Sequence, residues 1–160
     1  MKLISNALLD DMTAKAAASP RRRTHHNLHG SSNELVQRFV VVTQSDTYIR
    51  PHRHMTKSEL CTVLRGRFEV VVFDADGTIT ERSVMGEGTP NLAFELPSQT
   101  WHTLLALTDG AAFLEVKEGP YDPSVAAEFA RWAPEEGGAI ADFQRWVRTA
   151  PVGVRVPSFT

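Results

Sequence analysis

The sequence predicts an all-β protein, an antiparallel sandwich or barrel with a short helix near each end. Short segments rich in apolar and β-branched residues recur between residues 35 and 117, and Gly- or Asp-containing turns separate them. No helical periodicity lies between these segments, so the strands lack crossover helices and are expected to pair antiparallel. The length of 160 residues suits one domain.

An N-terminal helix is predicted to begin near Asn6. The hydroxyl of Ser5 can accept a hydrogen bond from a free backbone N–H of the first turn. Leu9 and Met12 fall near one face of this helix, and Pro20 ends it.

A basic and histidine-rich arm follows at residues 21–29. The arginines at residues 21–23 either clamp a phosphate or sugar nucleotide or, as charge runs more often do, form a solvated surface. A second metal site at His25, His26 and His29 is disfavoured, because their spacing matches no standard ligand set. His29 would line the mouth of a site if the arm folds over the barrel.

The predicted strands cover residues 35–42, 48–52, 59–64, 68–73, 78–84, 92–96, 101–107 and 111–117. A hairpin turn is predicted at residues 74–77, because this segment lacks the later carboxylates of a calcium loop. Two helices are predicted after the strands. One covers residues 125–132 with Ser124 as its cap, and the other covers residues 140–147.

The chain is therefore divided into an N-terminal helix and arm (1–30), a barrel (31–121) and a helical tail (122–160), within one domain. The net charge of −2 argues against nucleic acid and membrane surfaces as partners. The apolar runs are too short for a membrane span, and the start lacks the core of a secretory signal. The single cysteine, Cys61, allows no internal disulfide, and the expected location is cytoplasmic.

Residues 52–66 have the composition and spacing of a metal-binding segment. On an extended chain His52 and His54 project from the same face, whereas the residue between them points the other way. The residues that separate His54 from Glu59 allow the chain to turn and return a carboxylate to the imidazoles. Two imidazoles and a carboxylate suit a divalent first-row transition metal.

His102 is the predicted fourth ligand. It follows a turn at Pro97 and lies early on the apolar strand at residues 101–107. Three histidines and one glutamate leave one or two coordination positions for water or substrate. An open position is typical of a catalytic rather than a structural metal site.

These residues resemble the two motifs of the cupin superfamily. The first motif, Gly-x5-His-x-His-x3,4-Glu-x6-Gly, matches at His52, His54, Glu59 and Gly66, while Asp46 or a neighbour replaces its leading Gly. The second motif, Gly-x5-Pro-x-Gly-x2-His-x3-Asn, matches at Pro97 and His102, and Asn91, Gln99 and Ala106 replace its Gly, Gly and Asn. The resemblance implies a cupin double-stranded β-helix, the jelly-roll barrel, with one bound metal.

The sequence is further similar to the WbuC-type cupin-fold metalloproteins over roughly residues 20–136. The similar segments are residues 27–29, 51–54, 73–77, 101–103, 115–121 and 132–135. This small bacterial family often lies in surface-polysaccharide gene clusters and has no firmly assigned reaction. The resemblance therefore implies a fold and a metal more strongly than a substrate.

Alternation along the strands indicates which residues accompany the ligands. Arg50 precedes His52 by two residues and is a candidate for binding a substrate carboxylate or phosphate, unless Pro51 twists the strand and leaves Arg50 in a rim salt bridge. Cys61 should face inward as a small core residue, rather than as a fifth ligand or a redox-active group.

Glu115 and Lys117 are expected to point outward or to the rim, because charged groups seldom face an apolar interior unpaired. If a metal cavity reverses that choice, Lys117 becomes a candidate acid or electrostatic partner of the substrate. Tyr121 is placed at the mouth of the site.

The favoured function is a metal-dependent enzyme acting on a small polar metabolite, an isomerase or epimerase, or a dioxygenase if the metal is iron. The family resemblance implies a sugar or sugar acid of surface-polysaccharide metabolism as that metabolite. Fe, Zn, Ni and Mn all fit the ligand set. The alternative is a non-catalytic module that binds metal or sugar, since no general base can be named apart from the ligands. The expected partners are an anionic or sugar-like small molecule and a second copy of the chain, in a homodimer.

Overall fold

The computed structural model describes residues 1–159 and contains, within them, ten β-strands and two α-helices. The strands are β1 (Arg23–Asn27), β2 (Val36–Thr43), β3 (His52–Arg53), β4 (Glu59–Arg65), β5 (Arg67–Phe73), β6 (Ile79–Gly86), β7 (Ala93–Leu96), β8 (Trp101–Ala106), β9 (Ala111–Glu118) and β10 (Glu128–Phe129), and the helices are α1 (Asn6–Ala18) and α2 (Ile140–Thr149).

The strands form two five-stranded sheets, ordered β1-β2-β9-β4-β7 and β10-β3-β8-β5-β6. Every strand pair is antiparallel, and most neighbours in a sheet are distant in the sequence. The inner faces share one apolar cluster, in which Cys61 and Phe113 of the first sheet meet Phe68 and Leu104 of the second. The predicted all-β jelly roll with short terminal helices is confirmed.

Helix α1 covers the outer face of the first sheet. The hydroxyl of Ser5 accepts a hydrogen bond from the backbone N–H of Leu8 at 3.2 Å, which caps the helix as predicted. The apolar face of α1, represented by Leu9 and Met12, packs with Val40 on β2 and with other buried residues of β2 and β9. This contact fixes which face of β9 is turned away from the interior.

Helix α2 covers the outer face of the second sheet. Phe143 and Val147 are buried against Val71, Phe73 and Leu105 of β5 and β8. Each sheet therefore has a helix on its outer face, and the space between the sheets is left for the site. Within residues 1–159, neither helix is both long and apolar enough to cross a membrane.

Two parts of the chain differ from the prediction. The basic arm contains a strand, β1, which pairs with β2 from Arg23↔Thr43 to Asn27↔Phe39. The strand predicted at residues 48–52 is reduced to β3, because Pro51 has no backbone N–H to donate to a neighbouring strand.

The helix predicted over residues 125–132 is wrong. This segment contains β10, in which Glu128 pairs with Arg53 and Phe129 with His52. The backbone N–H of Ala130 then donates to the carbonyl of Pro51 at 2.9 Å. The backbone groups of this segment form hydrogen bonds with the otherwise free edge of β3. These bonds outweigh the local preference of the segment for a helix.

Candidate metal centre

Three histidines converge at one end of the space between the sheets. His52 on β3 lies directly opposite His102 on β8, and the centroids of their rings are 4.5 Å apart. His54 follows immediately after β3, with its ring centroid 5.3 Å from that of His52. The register of β3 and β8 thus brings two segments that are far apart in the sequence to one point.

Glu59 reaches these histidines from the opposite sheet. It is the first residue of β4 and is buried. Its Oε1 lies 2.6 Å from Nε2 of His102, and its Oε2 lies 3.2 Å from Nε2 of His54. The carboxylate therefore lies between two imidazoles that belong to the second sheet.

Backbone carbonyl groups set the orientation of all three imidazoles. Nδ1 of His52 lies 2.9 Å from the carbonyl oxygen of Arg50, and Nδ1 of His102 lies 2.9 Å from that of Thr100. Nδ1 of His54 contacts the carbonyl oxygen of Ala126. A carbonyl oxygen only accepts, so each Nδ1 donates and each neutral ring keeps its Nε2 lone pair for the site.

The buried polar atoms of this cluster fit a divalent cation. His54 Nε2, His102 Nε2 and Glu59 Oε1 are buried and have no hydrogen-bond partner among residues 1–159. With Nδ1 protonated, the close Nε2 and carboxylate atoms are all acceptors, and they repel unless a cation or a proton is shared between them. Imidazole and carboxylate donors suit Fe, Zn, Ni and Mn alike.

The electrostatics of the site keep two of the candidate metal ligands, His52 and Glu59, in the protonation state that metal binding requires. Burial and the neighbouring His102 lower the pKa of His52 to about 3, so His52 is neutral near pH 7. Burial raises the pKa of Glu59, but its contacts with His102 and His54 outweigh burial and hold that pKa well below its usual range. Burial lowers the pKa of His102, and the carboxylate of Glu59 reverses this and raises it.

The ligand cluster opens into a cavity of about 530 Å³. Arg50 lines this cavity and also forms the salt bridge that was the alternative, since its Nη1 lies 3.5 Å from Oε1 of the exposed Glu135. Its contact with a substrate stays a prediction. Its Nη2 donates to the carbonyl of Ala130 at 3.1 Å, and its guanidinium lies 5.5 Å from the ring centroid of Phe129. Its Nε is buried without a hydrogen-bond partner within residues 1–159, so one donor of the fork is available.

The expectation that Glu115 and Lys117 point outward is wrong. Both line the cavity, and Lys117 Nζ lies 2.5 Å from Glu115 Oε1. The outer face of β9 packs against α1 through Ala112 and Leu114, so alternation turns the charged positions inward. Their mutual contact offsets the cost of burying each charge. Burial raises the pKa of Glu115, and the carboxylate of Glu115 raises that of Lys117 despite burial.

Cys61 lies between the cavity and the apolar cluster that fills the other end of the interior. It is buried, lines the cavity and packs with that cluster. Burial and the nearby carboxylate of Glu115 raise the pKa of its thiol well above the usual range. A thiol that keeps its proton is a poor metal ligand and a poor nucleophile, which favours the core role.

His29 and Tyr121 line a neighbouring cavity of about 410 Å³ instead of the mouth above the ligand cluster. His29 Nδ1 is held by the backbone N–H of Arg38 at 3.0 Å, and Tyr121 is half exposed. Within the described chain, the groups of residues that could hold a metal ion include neither His25 nor His26 nor His29.

Three contributors to the site carry no signal in the local sequence. Arg23 lines the cavity because β1 pairs with β2, and the carbonyl of Ala126 orients His54 because the tail folds back over β3. Phe129 lines the cavity from β10 for the same reason. Alternation along β9 allowed either direction for Glu115 and Lys117, and the packing of Ala112 and Leu114 against α1 decided it.

Solved structures with this fold were found by comparison. KdgF from Halomonas sp. has a TM-score of 0.51 and 19% sequence identity over 66% of this chain and 86% of its own. The capsular polysaccharide assembling protein CapF from Staphylococcus aureus has a TM-score of 0.58 and 17% identity over 69% of this chain, which spans 30% of CapF. Oxalate oxidase in complex with the substrate analogue glycolate has a TM-score of 0.51 and 16% identity, over 71% of this chain and 57% of its own.

The two-sheet jelly roll is thus a fold that this chain shares with these solved structures, and its histidine–glutamate cluster is a candidate metal centre. The family follows from the sequence match at residues 4–85: the chain belongs to the family described as "Domain of unknown function (DUF6016)". A search of curated proteins finds no match.

Proposed function

We propose that this protein is a metal-dependent cupin enzyme that acts on an anionic sugar or sugar acid in surface-polysaccharide metabolism. The observation that carries the proposal is that His52, His54, Glu59 and His102 converge on one cavity. Several of their buried nitrogen and oxygen atoms have no hydrogen-bond partner within residues 1–159. The similarity to WbuC-type proteins supports the polysaccharide context, as does the fold shared with a capsular polysaccharide assembling protein.

The metal would be held by His52, His54, Glu59 and His102, and it would be one of Fe, Zn, Ni or Mn. Bound there, a divalent cation supplies a Lewis acid that polarises a substrate oxygen. The chain contributes the orientation of these ligands, because each imidazole is fixed by a backbone carbonyl before any ligand arrives.

The cationic side chains of the cavity suit an anionic substrate. Arg50 has a free Nε and lies beside Phe129, so its guanidinium can hold a carboxylate while the rest of the molecule faces the metal ligands. Arg21 and Arg23 line the same cavity and share one carboxylate, that of Glu136, so this pair of arginines leaves one positive charge uncompensated. These cations favour a sugar acid over a neutral sugar at this position.

Glu115 and Lys117 give the cavity a pair of groups that can exchange a proton with a substrate. Their contact at 2.5 Å and their place beside the ligand cluster supply the acid or base that the ligands themselves cannot provide. This pair favours an enzyme over a non-catalytic module. It also favours an isomerase or epimerase over a dioxygenase, because moving a proton between two carbons requires such a group.

The test begins with metal analysis of the untagged protein. We expect about one transition-metal ion per chain, and nuclear magnetic resonance in D2O should show deuterium entering D-glucuronate or D-galacturonate next to the carbonyl or carboxylate carbon. His52→Ala should remove most of the metal and abolish the deuterium exchange, and His26→Ala, a change of an exposed histidine on β1, should alter neither result. Bound metal and bound uronate without exchange or turnover would favour the non-catalytic module, and a metal-free wild-type protein would refute the proposal.

Self-association is part of the proposal. The exposed apolar residues Leu60, Leu64, Val84 and Leu92 belong to β4, β6 and the β6–β7 connection, close to one edge of each sheet. Light scattering should give the mass of a homodimer at micromolar concentration, and a monomeric mass would contradict this expectation. Cytoplasmic location also remains a prediction.

A further inference from the structure

A second cavity adjoins the candidate metal centre. It has a volume of about 410 Å³ and lies between the arm strand β1, the β1–β2 connection and the segment after β9. Its lining residues include Asn27, His29, Gln37 and Tyr121. None of these four residues lines the cavity of the metal ligands.

The two cavities share a boundary made of three side chains. His25, Phe39 and Lys117 line both of them. Phe39 is the centre of this boundary: Lys117 Nζ lies 5.0 Å from the centroid of its ring, and the rings of His25 and His29 meet it edge-on at 6.4 Å and 6.3 Å. The two cavities therefore adjoin along Phe39 and Lys117.

The second cavity differs from the first in charge. Within the described chain, Lys117 is the one side chain with a full charge among its lining residues, and Glu115 neutralises it from the other cavity. The remaining polar groups are amides, hydroxyls and imidazoles. Such groups donate and accept hydrogen bonds without selecting for an ion, which suits a ligand part that carries several hydroxyl groups.

Two details show how a sugar ring would be held. The amide nitrogen of Gln37, which is buried, donates to the carbonyls of Ser32 and Glu34, so its oxygen is the atom left to accept a hydrogen bond. Phe39 and Tyr121 supply aromatic surface on which the apolar face of a ring can rest. Neighbouring polar and aromatic groups in a cavity of this size are characteristic of a ligand site.

We propose that the second cavity binds a neutral sugar ring linked to the acidic sugar that occupies the metal cavity, so that the ligand of this protein is a disaccharide or longer saccharide ending in a sugar acid. The proposal rests on the proposed function, since it takes the acidic end to lie at the metal centre. Binding of the non-reacting ring would position the reacting one.

Calorimetry with paired probes tests this inference. The compared pair is the disaccharide cellobiouronate, in which a neutral glucose is linked to a terminal glucuronate, and D-glucuronate, its one-ring counterpart. D-galacturonate is a third probe with one ring. We expect the metal-loaded wild-type protein to bind cellobiouronate at least tenfold more tightly than glucuronate. The Asn27→Ala/Tyr121→Ala variant should reduce this ratio at least fivefold while its metal content, measured by elemental analysis, stays at the wild-type level.

Val152→Ala is the matched control, because Val152 is exposed and lies outside both cavities. It should leave the affinity ratio unchanged. Equal affinity for the one-ring and two-ring uronates, or an unchanged ratio in the Asn27→Ala/Tyr121→Ala variant, would overturn the second-ring site and leave the proposed function standing. Binding of none of the probes would instead refute the sugar-acid substrate class on which both proposals depend.

Discussion

The two ends of the barrel interior are built from the same strands and differ completely in character. Along β9 the inward residues change from Lys117 and Glu115 to Phe113, and along β4 they change from Glu59 to Cys61 and Val63 of the apolar cluster. The apolar end closes into a packed core, whereas the polar end surrounds a cavity of about 530 Å³.

Alternation sets the direction of side chains along a strand, but it does not determine whether the space between the sheets is filled. At the apolar end the rings of Phe68 and Phe113 meet edge-to-face at 5.1 Å and exclude water. At the polar end the inward groups need partners, and they obtain them from each other or from a ligand. A stable core beside an open site lets the core hold the ligands in place.

The largest expected effect is the loss of metal from the polar end. His52→Ala combined with His54→Ala removes two imidazoles that the backbone already orients, so most of the bound metal should be lost. Elemental analysis of purified protein measures it, and His26→Ala is the control with an exposed histidine. Full occupancy in the double variant would show that the metal lies elsewhere.

At the apolar end, Phe68→Ala should lower the free energy of unfolding by about 3–5 kcal/mol, because it leaves a void among fully buried neighbours. Urea denaturation measures the change, and Leu35→Ala, at an exposed position, should have little effect. If metal binding per folded chain falls as much as in the histidine variants, the two ends are not independent.

The Glu115–Lys117 pair lies at the polar end, beside the apolar core, and its contribution to the free energy of unfolding can be tested. Lys117→Met leaves a buried carboxylate without its cation and should destabilise the protein by about 1–3 kcal/mol. Adding Glu115→Gln should restore part of that loss, because the unpaired charge is removed. A double variant that is less stable than Lys117→Met would contradict the assigned pairing.

Arg50→Lys should weaken binding of a uronate probe by about 1.5–3 kcal/mol, because lysine keeps the charge and loses the planar fork. Metal content should remain unchanged, since Arg50 contributes only a backbone carbonyl to His52. Calorimetry and elemental analysis separate the two effects. Unchanged affinity would remove Arg50 from the substrate site.

In the metal-stripped protein, the free energy of unfolding should depend on pH through the buried histidines of the polar end. His52 has a folded pKa of about 3 against 6.5 when exposed, so the stability it contributes above pH 6.5 is lost as the pH falls toward 3. His102 has a raised folded pKa, so its contribution is complete below pH 6.5 and is lost as the pH rises through that pKa. Together they place a maximum near pH 6.5, which urea denaturation at several pH values would detect.

Metal should suppress that maximum and add a steeper loss in acid, because protons compete with the cation for the imidazoles. Stability and metal content should therefore fall together below neutral pH in the loaded protein. Metal content that stays constant down to strongly acidic pH would exclude histidine ligands.

The sequence alone determined the local features of this protein. The Ser5 cap, most strand positions and the common direction of Arg50 and His52 follow from side-chain chemistry and from periods that each segment carries by itself. The candidate ligands could be named for the same reason. The His-x-His motif and Glu59 lie within one short segment, and the ability of imidazole and carboxylate groups to bind a metal does not depend on the rest of the fold.

Only the tertiary structure decided which face of each strand is covered and what meets it. Glu115 points inward because α1 occupies the other side of β9, and the segment predicted as a helix became β10 because the edge of β3 offered it backbone partners. The orientation of His54 depends on a carbonyl group 72 residues away along the chain. Contacts of this kind join distant residues, so no local pattern carries them, and the shape of the candidate site depends on them.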